Sequence, residues 1–79
     1  MKAILNNNNE IDLHSLTHGE VEDELENWLI LQYNLGNFPI HVITGNSDRM
    51  KKIVETSAKK VGFKTREPLI YNPGVILVF

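Results

Sequence analysis

Asp12 and His14 stand two residues apart in Glu10-Ile11-Asp12-Leu13-His14, a run in which polar and apolar residues alternate. That period belongs to a half-buried strand, so the carboxylate and the imidazole share one face, opposite Ile11 and Leu13. An imidazole titrates near neutral pH and suits proton transfer. The carboxylate beside it could orient the ring, ligate a metal or only carry charge. Thr44-Gly45-Asn46-Ser47 is the second informative group. It ends a β-branched run and opens a helix, whose first amides lack intrahelical partners and attract phosphate oxygens. Arg49, Lys51 and Lys52 add positive charge just beyond it. If the two strands are parallel neighbours, both groups meet at one edge of a sheet, where an anionic ligand could sit. Taken singly, each group has a plainer explanation: a histidine that fixes a turn, and a helix cap.

The elements that must position these residues are readable from periodicity. Residues 10–14 form the first strand. Thr17-His18-Gly19-Glu20 is a capping box, in which Thr17 accepts from the third helical amide and Glu20 reaches back. The helix that follows carries Val21, Leu25, Trp28, Leu29 and Leu35 at helical spacing, and stops at Gly36 and Pro39. Ile40 to Thr44 reads as a second strand. Asn46 or Ser47 caps a second helix with Met50, Ile53, Val54, Ser57 and Val61 facing inward, which ends at Gly62. Residues 63–71 form a third strand, placed at an edge by Pro68. Asn72-Pro73-Gly74 is a turn, and Val75 to Phe79, apolar on both faces, is a central strand. The order is βαβαββ. It predicts an α/β fold, more closely an α+β two-layer sandwich, with a four-stranded mixed sheet and two helices on one face. Residues 1–9, with four asparagines, read as a flexible lead-in.

Composition narrows the class. Seventy-nine residues allow one small core, and 42% hydrophobic content argues against a disordered chain. With no cysteine, neither disulfides nor thiolate metal sites can hold the fold. No apolar run reaches membrane-spanning length, and the apolar start is too short for a secretory signal, so the expectation is a soluble, cytoplasmic protein. The net charge of −2 hides an asymmetry: residues 1–45 carry one lysine against seven acids, and residues 46–79 seven bases against three acids. A basic half can meet phosphates, although charged solvated helix faces would give the same count. His14 and His18 have the spacing of some zinc ligands, but one lies on a strand and the other in a helix cap. No third ligand is evident, so no metal ligands are assigned. His41 reads as an ordinary strand histidine, and the aromatic residues are scattered without a stacking platform for bases.

Ile-Asp-Leu-His at 11–14, the capped helix after it, Ile-Thr-Gly at 43–45 and Asn-Pro-Gly-Val-Ile-Leu-Val at 72–78 resemble the Smr (small MutS-related) domain. The resemblance covers residues 10–79. The family's Leu-Asp-x-His-Gly motif is matched through His14 with isoleucine first, and Ser15 stands where the family has glycine. Its Thr/His-Gly-x-Gly motif is matched by Thr44 and Gly45, with Ser47 in place of the last glycine. The resemblance implies a fold similar to the C-terminal domain of translation initiation factor three, and a nucleic-acid partner, DNA or RNA. It also implies endonuclease activity, as DNA nicking or RNA cleavage. Asp12 and His14 would be catalytic, and Thr44, Gly45, Asn46, Ser47, Arg49, Lys51 and Lys52 would bind phosphate. The cofactor is unknown; a divalent ion such as Mg²⁺ stays open, without a dedicated site. The competing expectations are a non-catalytic nucleic-acid-binding module and a protein-interaction adaptor that uses the acidic first helix.

Overall fold

The structure, a computed structural model, describes residues 4–7, 9–14, 16–68 and 73–79 of the chain. Its elements run β1 Ile4–Asn7, β2 Glu10–Asp12, α1 His18–Asn34, β3 Ile40–Ile43, α2 Asp48–Lys60, β4 Thr65–Arg66 and β5 Val75–Val78. The strands form one sheet in the order β1-β2-β3-β5-β4. β2 and β3 are parallel, and every other neighbouring pair is antiparallel. Both helices cover one face of this sheet. Val21, Leu25 and Leu29 of α1 and Met50, Ile53 and Val54 of α2 join one buried cluster with Ile11, Val42 and Ile76. The four-stranded mixed sheet with two helices, expected for residues 10–79, is therefore present.

Local chemistry explains where the helices begin and end. Thr17 Oγ1 accepts from the Glu20 amide at 3.2 Å, and Glu20 Oε1 accepts from the Thr17 amide at 3.4 Å, which closes the capping box. Ser47 caps α2 by accepting from the Met50 amide at 3.1 Å. Lys59 and Lys60 lie in the last turn of α2, where positive charge suits the helix dipole.

The structure corrects the sequence reading in several places. The flexible lead-in assigned to residues 1–9 does not hold for Ile4–Asn7, which pair with β2 across a register shift between Leu5 and Asn7. This fifth strand takes the hydrogen-bonding edge that β2 would otherwise leave open. β2 ends at Asp12 rather than at His14, but the ladder continues one bond further, from the Leu13 amide to the Ile43 carbonyl at 2.8 Å. Among the described residues the third expected strand shrinks to Thr65–Arg66, at the expected edge. The rest of that strand beyond Pro68, and Asn72 of the turn, lie outside the described residues, as does Ser15. Leu35, expected in the inner stripe of α1, caps the helix and is exposed, and Gln32 is buried instead. Its Oε1 accepts from Asn37 Nδ2 at 2.7 Å, which lets a polar amide sit inside. Trp28 packs against the core from a half-buried position, and Ala58 takes the inner place expected for Val61.

Candidate functional site

Two parallel strands end side by side, with Asp12 in register with Ile43. The residues that follow each strand therefore emerge at one end of the sheet: Leu13 and His14 from β2, Thr44 and Gly45 from β3. A Cβ built on Gly45 would lie 3.2 Å from His14 Cβ, so the glycine backbone abuts the histidine side chain. Gly45 also has φ +65, a conformation that side chains rarely adopt. The two sequence groups thus meet as expected.

Asp12 and His14 form a linked pair. Asp12 Oδ1 accepts from the His14 main-chain amide at 3.0 Å and also contacts His14 Nδ1 within hydrogen-bonding distance. An ionised carboxylate only accepts, so the pairing places a ring proton on Nδ1 and leaves Nε2 as the reactive nitrogen. The Asp12 side chain is 22% exposed, whereas His14 is 57% exposed and open to a ligand. The carboxylate is sheltered and the ring is presented.

The predicted phosphate cradle is built differently. Thr44 is 1% exposed, and its hydroxyl donates to the carbonyls of Gly45 (3.0 Å) and Gly74 (3.3 Å). The Thr44 and Gly45 amides also donate to the Gly74 carbonyl, at 2.8 and 3.2 Å. Thr44 therefore ties the site to the start of β5 and does not offer its hydroxyl to a ligand. Ser47 Oγ is occupied by the Met50 amide. Asn46 is exposed, and the Asp48 carboxylate stands at the first helical position, where it complements the helix dipole itself.

The three cations are also separated. Arg49 and Lys52, three residues apart, share a helical face and line a groove of about 550 Å³ opposite Glu22, Asp23 and Glu26 of α1. Lys51 points to the other side of α2, into a smaller hollow of about 180 Å³ with Glu55, Thr65, Arg66, Glu67 and Pro73. Sequence proximity suggested one basic patch; the 100° turn per residue makes two. Arg66 was missed as a possible companion of Lys51 because it comes from β4, fifteen residues later.

His18 and His41 are half-buried and outside the pair. Among the described residues, no three His, Cys, Asp or Glu side chains cluster as metal ligands, and no helix is long and apolar enough to cross a membrane. Comparison of the chain with protein-family models, with curated proteins and with solved structures finds no match in any of the three.

Proposed function

We propose that this domain binds nucleic acid and hydrolyses its phosphodiester backbone, in the manner that its resemblance to Smr domains implies. The observation that carries the reading is the Asp12–His14 pair, with Nδ1 held by the carboxylate and the His14 side chain exposed, beside Gly45 and the start of α2. His14 Nε2 takes a proton from the attacking water, or returns one to the leaving oxygen, while Asp12 holds the ring and steadies the imidazolium that forms. Lys51 and Arg66 supply positive charge in the hollow on the other side of α2, beside the carboxylates of Glu55 and Glu67. Thr44 acts through the Gly74 carbonyl by fixing the loop that backs His14.

The non-catalytic binding module remains the second reading. It is favoured over cleavage because the closed hydrogen bonding of Thr44 and Gly45 and the carboxylate of Asp48 take up the helix start beside His14, whereas cations elsewhere on α2 stay available to phosphate.

The deciding experiment incubates purified protein with supercoiled plasmid, structured RNA and single strands, with and without Mg²⁺. Cleavage that falls by about 10²-fold or more in His14→Ala, with binding retained, supports the enzyme. Wild-type protein that binds but cuts none of these substrates leaves the binding module. Protein that does neither rejects both.

A further inference from the structure

The groove between α1 and α2 has walls of opposite sign. Glu22, Asp23 and Glu26 line one side, and Arg49, Lys52 and Lys60 the other. Within the chain this complementarity is largely unused. Lys60 Nζ reaches Glu26 Oε2 at 3.8 Å, but Glu22, Asp23, Arg49 and Lys52 form no ion pair among the described residues. Ile53 is nearly covered at the groove floor, while Ile30, one turn beyond Glu26, is 40% exposed. The surface thus combines unpaired charges of both signs with some apolar area.

We propose that a second copy of this chain docks on this surface, helix layer to helix layer, about a two-fold axis parallel to the helices and centred over the groove. Both helices run against β2 and β3, because each leads from the end of one strand to the start of another parallel to it. They are therefore parallel to each other. Rotation about an axis along them keeps their direction and exchanges their positions. The acidic wall of each copy then lies over the basic wall of the other. A two-fold contact must be self-complementary, and this face is, because it carries both signs side by side. The need for such a contact is physical as well: a core of this size is marginal by itself, and association adds buried surface.

The charge arrangement makes an unusual test available. In R49E/K52E both walls are net acidic, and in E22K/D23K both are net basic. Each variant should repel its own copy, yet a mixture should pair, since every contact is again between opposite signs. Sedimentation equilibrium at low salt should show that wild-type protein dimerises and that added salt weakens the dimer. Each variant should associate about tenfold or more weakly than wild type, and their equimolar mixture should recover a heterodimer. Circular dichroism establishes that each variant is folded; should a reversal unfold the chain, R49Q/K52Q and E22Q/D23N should still weaken the wild-type dimer. The proposal fails if wild type is monomeric up to about 1 mM protein at low salt. It also fails if the dimer ignores these substitutions, which would place the contact elsewhere. A monomer whose nucleic-acid affinity collapses in R49E/K52E would assign the basic wall to phosphate instead.

Discussion

Replacing Gly45 by alanine tests whether the approach of β3's end to His14 organises the site. Two costs can be separated. Gly45 has φ +65, and placing an L side chain in that region costs about 1–2 kcal/mol. In a domain of this length each kcal/mol lowers the melting temperature by roughly 4–8 °C, so a clear fall is expected. The second cost is local: the new methyl group would stand 3.2 Å from His14 Cβ, and one of the two must yield by a few tenths of an ångström. Gly62→Ala is the control. Its φ is +88, and an added Cβ there meets nothing within 4 Å, so it carries the backbone cost without touching His14. Thermal melting followed by circular dichroism should show both variants destabilised. Only Gly45→Ala should change the His14 ring resonances at temperatures where both variants are folded, and only it should reduce cleavage where cleavage is found. If the His14 resonances are the same in the two variants, the Gly45 contact does not position the ring.

Three further outcomes are expected. Thr44→Val, which keeps the shape but removes the hydroxyl bonded to the Gly45 and Gly74 carbonyls, should cost about 0.5–1.5 kcal/mol by denaturant titration; no loss would mean those bonds are immaterial. Lys51→Glu should weaken nucleic-acid binding above about 0.1 M salt for all sequences alike and make the salt slope shallower by at least about one unit, read by fluorescence anisotropy. Leu25→Ala, at a fully buried position against the sheet, should cost about 2–5 kcal/mol and leave much of the protein unfolded at 37 °C by circular dichroism, whereas Leu31→Ala, on the exposed side of the same helix, should change little.

What was legible in the sequence was local or periodic. The capping box at Thr17 and Glu20 needs only four residues, and β3 announces itself by alternation and β-branching, so both were placed to within a residue. β1 was missed because Ile4-Leu5-Asn6-Asn7 contains two asparagines, which disfavour strands, and its support comes from pairing with β2. The meeting of His14 with Gly45 followed from assuming that two strands are parallel neighbours. The inward turn of the Thr44 hydroxyl could not be read, because one of its acceptors, Gly74, lies thirty residues away in the turn that leads into β5. The division of Arg49 and Lys52 from Lys51 was legible in principle from helical spacing. What Arg49 and Lys52 face depends on how α1 lies against α2, which no local pattern states.

The lateral separation of charge has a consequence for how the molecule meets a polyanion. Acids crowd α1 on the β1–β2 side of the sheet, and bases gather on α2 and β4 toward the other edge. The molecule measures 29 × 28 × 23 Å, whereas electrostatic forces at physiological salt decay over about 8 Å. In that regime a nearby polyanion senses only the half turned toward it, so the domain approaches base-first despite its net charge of −2. Dilution to roughly 0.01 M salt stretches the decay length to about 30 Å, longer than the protein itself. Both halves are then felt together, and the overall negative charge opposes the encounter. Association rate should therefore pass through a maximum at intermediate ionic strength, where a uniformly basic protein would show a steady decline.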